Sequence, residues 1–267
     1  MIKILPILTF LFLTLYASGQ ECQYEEYFRL TDLAKNDCKK ENFKESKRNF
    51  QLAFEKVEFP LGHDLSYALY TADKLKDDQW AGHIAKKLAK GGIPLRYFAK
   101  FKKKKWYKKF ESDFSNFTEH FKKHFNVEMQ NRFLKISQDD YEFNNQYHEW
   151  RERKIELTLQ ELIDGATKII SDFENFNDKY GFPNEQQMGY NYVRRKNSIE
   201  PYKIGVLMIH IYQRGLLIFK DDIDDFICKG GLHSGYKKTL KEIRGFGNST
   251  GIAQEMEARY AKYRGAE

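Results

Sequence analysis

The stretch LAKNDCKKENFKESKRNFQLAF, from Leu33 to Phe54, decides the fold because it encodes two amphipathic helices joined by a polar turn at residues 39–42. In each helix the apolar and small residues recur three or four positions apart, which places them on one helical face. They are Leu30, Leu33 and Ala34 in the first helix, and Phe43, Ser46, Phe50 and Ala53 in the second. The sequence therefore predicts an antiparallel helical hairpin.

This hairpin resembles one tetratricopeptide-type repeat. In that family a small residue in the first helix is followed by a small residue, an aromatic and another small residue in the second, and a proline closes the unit. The matching residues here are Ala34, Ser46, Phe50, Ala53 and Pro60. A second hairpin is predicted between Asp64 and Gly91. The resemblance covers residues 20–92 and implies a helical surface suited to binding a partner.

The remainder of the chain is also predicted to be helical. Gly91, Gly92 and Pro94 end the hairpins, because two glycines and a proline stop a helix. No later segment alternates polar and apolar residues with the period of a strand. We therefore expect an all-α protein, with helical hairpins followed by an irregular helical domain over residues 93–267. Six aromatic rings at helical spacing predict one continuous, core-facing stripe: Trp106, Phe110, Phe114, Phe117, Phe121 and Phe125.

The N-terminus has the layout of a secretory signal. A lysine at position 3 precedes an apolar run from Ile4 to Tyr16, and small residues follow it up to Gly19. The run is too short to span a bilayer, which needs about 20 residues. Residues 1–19 are thus predicted to be a signal peptide cleaved near Gly19, leaving a periplasmic or secreted chain. We expect no transmembrane segment in that mature chain, because the apolar stretch from Ile204 to Phe219 is short and contains polar residues.

Three cysteines follow the predicted signal, and an oxidising compartment permits a disulfide. Cys22 and Cys38 flank the first predicted helix, so they are the expected pair, with Cys228 left as a buried thiol. The alternative is that all three cysteines are reduced and packed in the core.

Residues from about Leu134 onward resemble an uncharacterised family of bacterial exported proteins. Family features matched in order are a Tyr-Gly-aromatic-Pro turn at residues 180–183, a glycine at Gly189, and an apolar helix that carries His210. The chain departs from the family at Asp140, which is followed by tyrosine where the family has glutamine. The resemblance implies an exported helical domain and carries no established activity.

His210 and Asp140 are the candidate catalytic residues. An apolar helix desolvates His210, which would tune it for acid–base work if a carboxylate such as Asp140 or Glu200 lay beside it. The alternative is a core histidine that is hydrogen-bonded through one nitrogen. An enzyme requires His210 to line an open cleft beside a carboxylate, whereas a purely structural histidine would be sealed.

A basic segment offers a second candidate site. Lys102, Lys103, Lys104 and Lys105 lie among aromatic residues, a pattern that elsewhere indicates nucleic-acid binding. Export makes nucleic acid an unexpected partner, so an anionic envelope polymer or an acidic protein surface is preferred, with simple solvation of a helix as the alternative. We expect neither a metal site nor a cofactor, because His120 and His124 lack a third ligand and phosphate-binding loops are absent.

These observations predict an exported binding or scaffold module for a protein or an anionic envelope partner. The alternative is a hydrolase-like enzyme with its site around His210.

Overall fold

The computed structural model describes residues 22–246 and 250–265, so the predicted signal peptide lies outside the described residues. The prediction of an all-α fold is confirmed. The longer helices are α1 (Gln23–Lys39), α2 (Phe43–Phe54), α3 (Gly62–Lys74), α4 (Asp78–Lys90), α6 (Phe114–His124), α7 (Val127–Arg151), α8 (Leu159–Tyr180), α10 (Ile204–Gln213) and α13 (Thr250–Arg264). Shorter elements are α5 (Tyr107–Ser112), α9 (Glu185–Met188), α11 (Ile223–Cys228), α12 (Lys237–Glu242) and two 3-10 helices, Leu95–Phe101 and Ser234–Tyr236.

The N-terminal helices form two successive hairpins, α1 with α2 and α3 with α4. Their turns share one geometry, because Glu41 and Lys76 both adopt positive φ, 62° and 56° respectively. The small contact residues are buried, including Ala34, Ala53 and the alanines at 68, 72, 81 and 85. Leu33, in contrast, is 43% exposed and does not join the core face.

Side-chain caps set the start of several helices. The Asp77 carboxylate accepts a hydrogen bond from Trp80 N at the start of α4, and Asn126 does the same for Met129 N at the start of α7. At α8, Thr158 and Glu161 form a reciprocal capping box. Each cap satisfies a backbone N–H that has no partner within its helix.

Two strands of two residues each interrupt the helical pattern. Tyr192–Val193 pairs antiparallel with Ser198–Ile199, with Tyr192 opposite Ile199. This hairpin is followed by residues 200–203 and then by α10, the helix that carries His210.

The core divides into two hydrophobic clusters. One joins α1 to the C-terminal helices and contains large residues such as Trp150, Phe173 and Tyr212. The other joins the hairpins to the following segment and contains Phe98, Phe110 and Phe117. The second cluster thus includes residues on both sides of the boundary predicted between residues 92 and 93.

The aromatic stripe is divided between two helices instead of following one. A break at Asp113 separates α5 from α6. Phe110 and Phe117 are buried, and the other four rings are partly buried. The stripe therefore packs inward, as expected, but it bends around the hairpin core.

The predicted disulfide between Cys22 and Cys38 is wrong: Cys22 is bonded to Cys228, and Cys38 is a buried thiol. Cys22 and Cys38 lie at opposite ends of α1, and a helix rises 1.5 Å per residue, so about 24 Å separates them. A disulfide needs Cα atoms within about 7 Å of each other. Because α11 packs against α1, the Cα atom of Cys228 lies 4.7 Å from that of Cys22.

Within the described residues, no helix combines the length and the apolar character that crossing a bilayer would require.

Candidate functional site

A cleft of about 310 Å³ lies between α7, α10 and α13. The contributing residues of α7 recur three or four positions apart, so they lie on one helical face, and the same spacing applies in the other two helices. The cleft is lined by Phe143, Asn144, Tyr147, His148 and Arg151 from α7, by His210 and Gln213 from α10 with Arg214 after it, and by Met256 and Arg259 from α13.

His210 and Asp140 are in direct contact. The Nδ1 atom of His210 lies 2.7 Å from Oδ2 of Asp140. A carboxylate accepts, so Nδ1 carries the proton and Nε2 of the neutral ring has a free lone pair. No described residue hydrogen-bonds to Nε2, and the side chain of His210 is 20% exposed where it lines the cleft. His210 therefore lies in an open cleft beside a carboxylate, as an enzyme with His210 as a catalytic residue would require.

Asp140 also forms an ion pair with Arg214. Nη1 of Arg214 lies 2.7 Å from Oδ1 of Asp140, and Asp140 and Arg214 are only 4% and 5% exposed. Burial lowers the pKa of the Arg214 guanidinium, and the Asp140 carboxylate opposes that effect. The guanidinium also lies over the ring of Phe143, 4.8 Å from its centre. One buried carboxylate therefore positions both a histidine and an arginine.

Arg259 is fixed on the other side of the cleft. Its Nε donates to Glu255 at 2.7 Å, its Nη1 to the Tyr147 hydroxyl at 3.1 Å, and its Nη2 to the carbonyl of Gln213 at 2.6 Å. Burial alone would lower the pKa of Arg259, but its interactions with Tyr147 and Glu255 outweigh this effect, so the pKa is raised overall. The guanidinium is held in one orientation before any ligand arrives.

The cleft carries an excess of positive charge. Three arginines line it, and two carboxylates compensate them: Asp140 pairs with Arg214 and Glu255 pairs with Arg259. Arg151 has no carboxylate partner among the described residues. Two histidines, His148 and His210, add hydrogen-bonding atoms that become cationic on protonation.

This arrangement suits an anion. Arginine binds phosphate and carboxylate groups through paired N–H donors, and such charge-assisted bonds are the strong ones. A lone pair on His210 Nε2 is available to take a proton from water. No serine, threonine or cysteine is among the described residues that line the cleft. A nucleophile in this cleft would therefore be water.

The basic segment lies elsewhere. Lys102, Lys103 and Lys105 are exposed at the end of the first 3-10 helix and in the loop after it, and Lys104 forms an ion pair with Asp73 of α3. Asp73 thus compensates one of the four lysines and the other three are exposed; binding of an anionic partner by this segment stays a prediction.

Sequence reasoning missed the arginines of the cleft. Arg214 follows His210 by four positions and caps the end of α10, so this spacing brings the two residues to the same side of the helix. Asn144, Tyr147, His148 and Arg151 follow Asp140 with the same helical periodicity. Glu200, the other carboxylate considered for His210, instead pairs with Lys196 at 2.8 Å. Arg259 could not be anticipated, because only the packing of α13 brings it to the site.

No protein-family model, curated protein or solved structure matches this chain. The resemblances to tetratricopeptide-type repeats and to an exported bacterial family stay predictions.

Proposed function

We propose that this chain is an exported binding protein that takes a phosphate or carboxylate group of its partner into the cleft around His210. The observation that carries the proposal is the uncompensated charge there, where three arginines meet two carboxylates. The partner is an anionic envelope component or a protein with an acidic surface. The N-terminal signal pattern supports export, and the helical hairpins add surface for the rest of such a partner.

The anion would be held mainly by preformed groups. Arg214 and Arg259 are fixed by Asp140 and by Glu255, so little side-chain entropy remains to be lost on binding. Arg151 is exposed and forms no ion pair among the described residues, although its guanidinium lies 5.7 Å from the centre of the Tyr263 ring, and it adds attraction at the entrance. Because exposed charge is screened by salt, affinity should fall as ionic strength rises.

Calorimetric titration with inorganic phosphate tests this function. The variant Arg151→Gln removes the uncompensated charge and should weaken binding about threefold to tenfold, the range for one hydrogen bond with charge assistance in a partly exposed site. Arg153→Gln is the matched control, since Arg153 is two residues away, exposed and outside the cleft. Equal affinity of Arg151→Gln and wild type, or equal weakening by both variants, would contradict the proposal.

A second function is favoured by one specific contact, the 2.7 Å hydrogen bond between His210 Nδ1 and Asp140. The same cleft would then hydrolyse the anionic partner. His210 Nε2 would take a proton from water, and the water oxygen would attack phosphorus or an ester carbonyl carbon. Asp140 would stabilise the imidazolium that forms, and the bond to the leaving oxygen would break as the imidazolium returns the proton to that oxygen. Arg214 and Arg259 would stabilise the negative charge that develops.

The two functions separate in a turnover assay. Wild type and His210→Ala would be incubated with p-nitrophenyl phosphate and with p-nitrophenyl acetate. Hydrolysis by wild type that falls about a hundredfold or more in His210→Ala supports the enzyme. Phosphate binding without turnover leaves the binding protein as the function.

A further inference from the structure

A second cavity, of about 430 Å³, lies away from the His210 cleft between the N-terminal hairpins and the C-terminal part of the chain. Its volume is in the usual range of small-molecule sites. Its walls are mainly apolar and aromatic: Phe28, Leu61, Tyr202, Ile204, Leu232 and Tyr236. A few polar side chains converge on this apolar space, which is the general character of a ligand pocket.

Most of those polar groups have partners already. Asp64 is 4% exposed, accepts a hydrogen bond from the Tyr27 hydroxyl at 2.8 Å and lies 3.0 Å from Lys35 Nζ. Lys35 also pairs with Asp32 at 3.0 Å. Lys203 also lines the cavity, and its Nζ lies 5.9 Å from the centre of the Tyr141 ring on α7. Asp64 and Lys35 are therefore already paired and leave no free charge for a ligand.

Glu185 is the exception. It is 6% exposed, and its Oε2 accepts a hydrogen bond from the backbone N–H of Gly62 at 2.6 Å. Its other oxygen, Oε1, has no partner among the described residues, and no lysine, arginine or histidine there pairs with the carboxyl group. Burial raises the pKa of Glu185 to about 8, so near neutral pH the side chain is mainly a neutral acid with an O–H to donate. A carboxylic acid kept neutral by apolar surroundings is an effective hydrogen-bond donor.

Tyr202 provides a second free proton in the same cavity. Its hydroxyl oxygen accepts from Gln130 Nε2 at 2.7 Å, and no described residue accepts its own proton. Burial raises the pKa of Tyr202, so the hydroxyl stays protonated. Two buried donors without acceptors are costly in an apolar cavity, and an acceptor oxygen on a ligand would satisfy them.

We propose that this cavity is a binding site for a neutral, largely apolar or aromatic molecule that carries a carbonyl oxygen, with Glu185 and Tyr202 donating to that oxygen. A cationic amine fits less well. A neutral acid offers an ammonium group no opposite charge with which to pair.

Binding should depend on pH through Glu185. Below a pH of about 8 the acid donates, and above it the carboxylate repels the carbonyl oxygen, so affinity should fall as pH rises through this value. Other titratable groups border the site, and a control variant has to separate their effects from that of Glu185. They are Tyr24, Tyr27, Asp32 and Lys35 on α1, His63 and Asp64 on α3, Tyr190, Tyr202 and Lys203 before α10, and His233 and Tyr236 after α11.

The test uses prodan, a neutral fluorescent naphthyl ketone, with a naphthylmethylamine as the cationic probe of similar size. Each is titrated into wild type, Glu185→Gln, Glu185→Leu and Tyr202→Phe at about pH 6 and about pH 9.5. Glu185→Gln is the matched variant, because an amide still accepts from Gly62 N–H, still donates to a ligand and does not titrate. Near-UV circular dichroism verifies that each variant is folded.

We expect wild type to bind prodan at about pH 6 and to bind it tenfold or more weakly at about pH 9.5. Glu185→Gln should bind it at both values, whereas Glu185→Leu and Tyr202→Phe should each weaken it about threefold to tenfold, the effect of one hydrogen bond. The proposal is overturned if wild type does not bind prodan, or if Glu185→Gln shows the same pH dependence. It is also overturned if the amine binds wild type with affinity that rises with pH and Glu185→Gln abolishes that binding.

Discussion

Replacing Asp140 with asparagine should destabilise the protein strongly, because this carboxylate compensates a buried arginine and orients His210. Asp140 and Arg214 are 4% and 5% exposed, so water cannot replace the lost charge. Removing one partner of a buried ion pair costs about 3 to 5 kcal/mol. Asp140→Asn should therefore lower the free energy of unfolding by about that amount, as measured by urea denaturation followed by circular dichroism.

A neighbouring residue supplies the control. Asp139 pairs with Lys135 and Lys168, whose side chains are largely exposed, so Asp139→Asn should cost about 1 kcal/mol or less. Adding Arg214→Met to Asp140→Asn removes the uncompensated charge. The double variant should thus be more stable than the sum of the single effects by about 2 to 3 kcal/mol.

Two outcomes would refute this reasoning. One is an Asp140→Asn protein within about 1 kcal/mol of wild type, which would mean that solvent reaches the pair. The other is strict additivity of the two substitutions, since residues in one buried network are expected to be coupled.

Three further predictions concern the rest of the chain. Cys22→Ser removes the bond to Cys228, which lies 206 positions further along the chain, and should lower the free energy of unfolding by about 2 to 5 kcal/mol. Equal stability of the variant and wild type under non-reducing conditions would contradict this. Phe117→Ala should cost about 3 to 5 kcal/mol in the same assay because the ring is buried, and a loss below about 1 kcal/mol would show it to be dispensable for the core. Burial raises the pKa of Glu185 from 4.5 to about 8, so the folded state binds this proton more tightly than the unfolded state, and stability falls as pH rises between those values. Compared with Glu185→Gln, the free energy of unfolding of wild type should fall by up to about 1.4 kcal/mol per pH unit between those values. If the free energies of unfolding of the two proteins changed in parallel with pH, this prediction would be refuted.

Helical periodicity was enough to predict the fold class and the hairpins. Apolar and small residues three or four positions apart mark the buried faces of α1 to α4, and the polar residues between them mark the turns. Leu33 shows the limit of this pattern. It lies beside the apolar face of α1, but whether such a border residue is covered depends on a neighbouring helix that periodicity does not place.

Pairings between distant segments were predictable only in part. His210 and Asp140 were singled out by their chemistry, but 70 residues separate them, and only the packing of α10 against α7 brings them together. The predicted pairing of Cys22 with Cys38 is wrong because the two residues at opposite ends of α1 are held apart by the length of that helix. Glu185 gave no signal at all, since burial of a carboxyl group depends on every segment that surrounds it.

The central claim is that the His210 cleft binds an anion, and the most direct measurement is an NMR titration of the histidine ring resonances with inorganic phosphate. We predict saturable shifts for His210 and His148, which line the cleft, and none for His63 and His233, which line the other cavity. The shifts should require higher phosphate concentrations in Arg151→Gln. Unchanged resonances of His210 and His148, or equal shifts of all four histidines, would contradict the claim.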